Sequence, residues 1–364
     1  MLLNRKCASR DLESLTKAPQ KEGEVELMLK VSARCGSKLV VVVGMAVSFL
    51  LTAAIASASS SAAGLTRPEE LSGIAVSGDG KIYFADTLHN IVFVRDLGGS
   101  IRVAAGTGQA GFAGDGGLAT EAKFDRPTSL AMAPDGVLYV VDSRNNRVRA
   151  ILPNGDIKTI AGNGKEASGF LPNLGELASN VQISVSSGVT VNAANDVYLV
   201  DGNLVLELSP SWRIIEVIDL AHPKGITLRY VDCEPYSLAV NISGTLAIGC
   251  GNSRELIDRT SSGDYGIIDN AYRPHDYPGL LYLGGTLLEV NHESLLRRQG
   301  GHVTTLFGMG NVGAANLVVP GGIAVNSKGD VFFDSEANDG FTNEAALVER
   351  SKSGAIKLLD HWKN

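Results

Sequence analysis

Apolar residues in this chain come mostly in short runs, broken at close intervals by Gly, Asp and Asn. From Leu71 the runs centre on Ile74, Phe84, Phe93 and Val103, and turns such as Gly78-Asp79-Gly80 separate them. Short runs rich in β-branched and aromatic residues, bounded by turn formers, predict strands, and four in succession predict a four-stranded meander. The pattern of Leu71–Gly106 recurs from Thr128 to Gly162, with turns at Pro134-Asp135-Gly136 and Pro153-Asn154-Gly155. Weaker copies begin at Ser187, Tyr236, Pro278 and Gly321. With Ile74, Leu130, Val189, Leu238, Leu281 and Ile323 as first-strand anchors, the spacings are 56, 59, 49, 43 and 42 residues. Six such copies fill residues 65–364. Radial repetition of four-stranded units predicts an all-β, six-bladed β-propeller, an architecture that leaves only short, protected sheet edges.

One stretch departs from this pattern. Leu39 to Ala56 is 18 residues without a charge, preceded by Arg34 and Lys38 and followed by the small residues Ser57–Ala63. It predicts an N-terminal hydrophobic export or anchor helix. Ala56-Ser57-Ala58 has the small-x-small form of a cleavage site, so a cleaved signal peptide and a retained transmembrane helix both stay open. The flanking basic residues place the C-terminal domain outside the cytoplasm. The expected organisation is a polar, basic leader at 1–38, the apolar helix at 39–56, a small-residue linker at 57–64 and the propeller at 65–364. Met28 opens a more conventional signal sequence and is an alternative start. The product is secreted, periplasmic or membrane-anchored, with membrane contact only through residues 39–56 if they are uncleaved.

Composition sharpens the picture in two places. The 42 glycines against 12 prolines suit many tight turns between short strands. The net charge of −7 is unevenly spread: residues 1–38 carry +3 and the remainder −10. A domain that acidic repels a phosphate backbone, which argues against nucleic acid as a partner. The domain is expected to be a monomer.

Leu138–Val148 (LYVVDSRNNRV) resembles an NHL repeat, in which an Asp ends the second strand and Asn and Arg precede the third. Ala105–Met132 is similar to the glycine-rich blade connection of bacterial NHL proteins. The resemblance is close in the first two copies, fair in the third and sixth, and weak in the fourth and fifth. It spans about residues 66–364. It implies the propeller fold and a binding platform, but no particular ligand.

Several motifs invite chemistry. Gly106–Gly111 and Gly308–Gly313 both satisfy GxGxxG, yet each follows the last strand of a copy and not the first strand of a βαβ unit, so both read as blade linkers. Such linkers and the loops after second strands should build one face around the central channel. Asp86, Asp142 and Asp201 close second strands, with Asp334 one register earlier. They read either as turn caps of the repeat or as oxygen ligands for Ca²⁺ or another divalent cation. His89 and His292 follow second strands, and Arg144 and Asn252 fall in the same loops. Cys233 and Cys250 are placed close enough for a disulfide, with two separate thiols as the alternative. Asn241-Ile-Ser243 fits a glycosylation sequon.

No catalytic signature is present, so the first expectation is an extracytoplasmic, non-catalytic platform for a protein, peptide or glycan ligand. The alternative is a divalent-metal enzyme resembling gluconolactonases or peptide-amidating lyases, drawing on Glu69, Glu70, Asp201, Asn252 and His292.

Overall fold

The structure is a computed structural model that describes residues 70–362, with short internal gaps such as 221–232 and 270–278, together with Pro68 and two N-terminal segments. The N-terminal segments form strands β1 (Lys30–Cys35) and β2 (Lys38–Val43), an antiparallel pair in register from Lys30↔Val43 to Cys35↔Lys38. The expected hydrophobic helix over 39–56 therefore begins in a strand. Four consecutive valines after Leu39 explain this, because β-branched side chains favour extended backbone. Residues 44–56 lie outside the described set. Among the described residues no helix is long and apolar enough to cross a membrane.

Six blades follow. Blade one is β3 (Leu71–Val76), β4 (Ile82–Asp86), β5 (Ile91–Arg95) and β6 (Ile101–Ala105). Blade two is β7 (Pro127–Met132), β8 (Leu138–Asp142), β9 (Arg147–Ile151) and β10 (Ile157–Ala161). Blade three is β11 (Val189–Val191), β12 (Val197–Asp201), β13 (Leu204–Leu208) and β14 (Ile214–Asp219). Blade four is β15 (Pro235–Val240), β16 (Leu246–Cys250), β17 (Leu256–Arg259) and β18 (Tyr265–Asp269). Blade five is β19 (Leu280–Leu283), β20 (Thr286–Asn291), β21 (Ser294–Gln299) and β22 (His302–Gly308). A hairpin of β23 (Gly310–Val312) and β24 (Ala315–Val318) then leads to blade six: β25 (Ile323–Val325), β26 (Val331–Asn338), β27 (Asn343–Arg350) and β28 (Ile356–Trp362). Each blade is an antiparallel meander in chain order.

The second strands show why the sequence reads as unbroken apolar runs. Every residue of β8, β12 and β16 is buried. A blade is covered on both faces by its neighbours, so the in–out alternation of a half-exposed sheet disappears. Six apolar clusters fill the spaces between successive blades. First strands lie side by side around the ring, and β25 against β3 closes it.

Blade five departs from the sequence anchor by one residue. Leu280, not Leu281, occupies the place of Ile74 and Ile323: Leu280 packs toward blade four and Leu281 toward blade six. A one-residue slip moves every side chain to the other face of a sheet, so this register decides which residues reach the channel.

The long linkers after blades one and two do more than dress one face. Ala119, Ala122 and Phe124 are buried among side chains of blades one and two, while Ala178, Ile183 and Val185 sit likewise between blades two and three. Each linker descends along the outer groove to the β9–β10 or β13–β14 turn, pairing at Leu118↔Asp156 or Leu177↔Arg213, and then returns. Gly106 and Gly162 start the two linkers with φ of 96° and 83°. Their N–H groups donate to the carbonyls of Ala119 and Ala178 at 2.9 Å. After blade five the third glycine-rich stretch is different: it enters the β23–β24 hairpin, whose β24 pairs with the upper part of β26 at Leu317↔Ala337.

Candidate functional site

The inner strand of each blade is a sheet edge, so its outward N–H and C=O groups face the axis. At the level where these strands come closest, six small residues form a ring: Gly73, Ser129, Gly188, Ser237, Gly279 and Gly322. The size limit is steric. A Cβ on Gly73 would lie 2.7 Å from the Thr128 carbonyl oxygen, and one on Gly322 would lie 2.9 Å from the Ile74 nitrogen. The next residue of each strand is apolar but turned into the clusters between blades. Ile74, Leu130, Val189, Leu238, Leu280 and Ile323 are only 4–8% exposed. The channel wall therefore combines edge backbone with the margins of these apolar residues and of Leu71, Val185 and Tyr236, around a cavity of about 800 Å³.

Charge gathers at the mouth on the linker face, where Glu70, Arg126, Arg144 and Glu166 line the cavity. Arg126 and Arg144 belong to two stitched segments. The Arg144 N–H donates to the Asp125 carbonyl at 3.1 Å. The Ser143 hydroxyl donates to the Arg126 carbonyl at 2.7 Å. Arg126 has φ of 55°, a left-handed backbone, and its N–H donates to Asn90 Oδ1 at 2.8 Å. Its guanidinium pairs with Glu70 at 3.3 Å. Arg144 is exposed.

The aspartates that end second strands share a repeat position and lie in different blades. Asp142 is fully buried; its Oδ1 accepts the Asp125 N–H at 2.7 Å, and both carboxylate oxygens accept from Asn145 Nδ2 at 2.9 Å. Arg149, also fully buried, stands 3.5 Å from Asp142 and 2.7 Å from Asp115. Burial pushes the Asp142 carboxyl up to about 6, against the pull of the Asp125 N–H, Asn145 and Arg149. Asp201 accepts the Ser184 N–H at 2.7 Å, and burial raises its carboxyl too. Asp86 accepts from the His89 backbone at 3.1 Å and contacts the His89 ring nitrogen Nδ1 at 2.9 Å. These carboxylates tie each linker or loop to its blade. Among the described residues no three His, Cys, Asp or Glu side chains come together in a way that would hold a metal ion. The described donor set does not fit a divalent cation.

Arg144 reaches the cavity. Asn252, His292 and Glu69 lie outside the described residues, and for Asp334 the structure describes the backbone within β26. Cys233 and Cys250 are joined in a disulfide across 5.0 Å between Cα atoms. Cys250 pairs with Pro235, one residue from the sequence expectation, because a bulge lies between Pro235 and Ser237. Arg126, Glu166, Ser129 and Ser237 are site residues that sequence reasoning passed over. Superposing the copies on the corrected register would have revealed the two serines, which replace glycine at the ring position.

Fold, repeat and signature residues together define an NHL-repeat six-bladed β-propeller. Residues 103–152 match the family model described as the Teneurin NHL domain. Teneurin-1 of Gallus gallus is 32% identical over 149 residues, 36% of this chain and 5% of the relative. Teneurin-m of Drosophila melanogaster is 28% identical over 153 residues, 37% of this chain and 6% of the relative. The chain thus spans about a twentieth of the length of these curated relatives. Among solved structures, virginiamycin B lyase from Staphylococcus aureus superposes with a TM-score of 0.51 at 17% identity, covering 80% of this chain and 85% of that one. A gluconolactonase from Xanthomonas campestris gives 0.51 at 12% identity, covering 73% and 83%. At these identities the likeness is one of fold.

Proposed function

We propose that this propeller acts outside the cytoplasm as a non-catalytic platform that binds a protein, peptide or glycan ligand at the linker-face mouth of its channel. One observation carries the reading: Glu70, Arg126, Arg144 and Glu166 surround an open cavity, while the described repeat aspartates are engaged in holding the scaffold. Polar groups converging on a rigid concavity are what a recognition site requires. The disulfide and the apolar segment at 39–56 support an exported, oxidising setting.

The test is capture on mixed glycan and peptide arrays by the wild type and by the double variant Arg126→Ala/Arg144→Ala, with a melting curve to verify folding. Ligands retained by the wild type and released by the folded variant support the reading. Capture that is identical for both overturns it.

A further inference from the structure

Going beyond the ligand mouth, and resting only on the exported setting proposed above, we propose that Asn241 is an N-glycosylation site whose amide nitrogen takes an oligosaccharide from a polyprenyl diphosphate carrier.

The turn between β15 and β16 carries the case. Blades one, two, three, four and six close this turn alike, at Ser77, Ala133, Asn192, Asn241 and Asn326. In each, the first residue's N–H donates to the carbonyl four residues on, and its own carbonyl accepts from the N–H three residues on. The three asparagines also cap the turn with Oδ1. Asn192 Oδ1 accepts the N–H groups of Ala194 and Asp196 at 2.9 Å. Asn326 Oδ1 accepts those of Lys328 and Asp330 at 2.9 and 3.0 Å. In both turns Nδ2 is engaged as well, donating to the aspartate four residues on at 2.9 and 3.0 Å.

Blade four keeps the cap and breaks this tie. Asn241 Oδ1 accepts the Ser243 N–H at 3.0 Å, the Thr245 N–H at 2.8 Å and the Ser243 hydroxyl at 2.8 Å. Backbone N–H groups only donate, so the accepting atom is the oxygen and the orientation of the amide is fixed. Thr245 stands where the other two turns have aspartate. The Asn241 Nδ2 therefore has no hydrogen-bond partner among the described residues, and it is not sealed from solvent. Ile242 is 84% exposed and Ser243 is exposed too, so the tip of the turn is accessible.

A free amide nitrogen, a hydroxyl two residues on and an exposed turn without proline between them are what an Asn-x-Ser acceptor needs. Asn241-Ile-Ser243 is the one Asn-x-Ser/Thr triplet in the sequence. The Cys233–Cys250 disulfide ties the same pair of strands and calls for an oxidising compartment outside the cytosol. In the transfer, a bond forms between Nδ2 and C1 of the first sugar as the bond from C1 to the diphosphate oxygen breaks. The lipid diphosphate leaves with the electron pair, and Nδ2 gives up one proton. The glycan stands beside a second cavity, of about 290 Å³, at the mouth opposite the linkers, which Val76, Met132, Val191 and Ile242 help to line. The linker-face mouth stays clear.

The test is to secrete the full chain from a eukaryotic host that has an oligosaccharyltransferase. Intact mass is read before and after peptide N-glycosidase F, with peptide mapping to find the asparagine that release converts to aspartate. The expected result is a glycosidase-sensitive mass that maps to Asn241. Ser243→Ala keeps both backbone bonds to Oδ1 and should lose that mass, whereas Ser243→Thr should retain it. Thr245→Asp rebuilds the tie of blades three and six and should lower the ratio of modified to bare chain by about fivefold, the weight of one added hydrogen bond. Melting curves and thiol alkylation verify that each variant is folded and its disulfide closed. A folded, disulfide-closed wild type without glycosidase-sensitive mass overturns the inference, as does a mass that survives in Ser243→Ala. Unchanged occupancy in Thr245→Asp overturns the role given to the freed nitrogen. A chain with both thiols reduced has not been exported, which overturns this inference and the exported platform together. A closed disulfide without a glycan overturns this inference alone, and array capture that depends on Arg126 and Arg144 then keeps the platform standing.

Discussion

Asp142 shows how the repeat uses its signature residue. A carboxylate sealed from water is costly, and here a backbone N–H, an amide and a buried guanidinium offset that cost. Burial still wins, holding the folded carboxyl near 6 against an ordinary 3.8. The folded state thus binds this proton more tightly than the unfolded chain. The stability contribution grows as pH falls through 6 and is complete below about 4, a span of roughly 3 kcal/mol. Asp201 shifts in the same direction. Urea unfolding of the wild type and Asp142→Asn at several pH values between 4 and 7.5 should show the stability difference changing across pH 4–6 and flat above 7. Parallel profiles would show that Asp142 titrates normally. From the sequence this aspartate was legible as a position, with a turn cap as the first reading and a cation ligand as the second; its burial and the Asp125 N–H that it accepts appear only in the fold.

At the scale of elements, the linkers and the blade-four staple carry specific costs. Gly155 and Gly162 both have left-handed φ, 90° and 83°. A Cβ on Gly155 meets nothing, whereas one on Gly162 would overlap the Asn146 carbonyl and lie 2.7 Å from Ile183 Cδ1. Gly155→Ala should therefore cost only the left-handed penalty of about 1–2 kcal/mol. Gly162→Ala should cost clearly more, because the linker must leave its groove between blades two and three; equal melting shifts would contradict this. The Cys233–Cys250 staple closes a 17-residue separation across the entry of β15 and the end of β16. Replacing both cysteines with serine should lower stability by roughly 3 kcal/mol on the chain-entropy model, and reductant should lower the wild type to match. A variant as stable as the wild type would assign the staple no stabilising role. The strands themselves were readable wherever turns are marked by Gly-Asp-Gly or Pro-Asp-Gly. Blade five lacks such a marker beside its first strand, and its anchor slipped from Leu280 to Leu281. The descent of the linkers was not readable, since Ala119, Ala122 and Phe124 look like any short amphipathic segment until the groove that receives them exists.

For the whole molecule the question is how a ring of six separate meanders stays shut. Blade one is built from β3–β6 and blade six closes with β25–β28, so among the described residues no strand from one end of the chain completes the sheet of the other. Closure rests on side chains. Phe84 stacks on Phe93 at 5.6 Å and meets Trp362 at 5.7 Å, within a cluster that also holds Ile74, Phe332 and Leu347. Arg95 and Asp360 form an ion pair across the same seam. Each large aromatic lost from such a core costs roughly 3–5 kcal/mol, whereas a partly exposed ion pair is worth about 1 kcal/mol or less. Trp362→Ala should therefore loosen the ring far more than Arg95→Ala. Because each blade contacts only its neighbours around the ring, the loosening should be local to the seam. Hydrogen exchange should speed up in β3–β6 and β25–β28 together, while β12 and β16 on the far side keep their protection. Uniform acceleration around the ring would mean that the six blades unfold as one unit and that the seam is no weaker than any other junction. Unchanged exchange in both flanks would mean that the contact of β25 with β3 closes the ring without Trp362. The channel depends on this seam, since Gly73 and Gly322 face each other across it and set the spacing at which the small-residue ring can form.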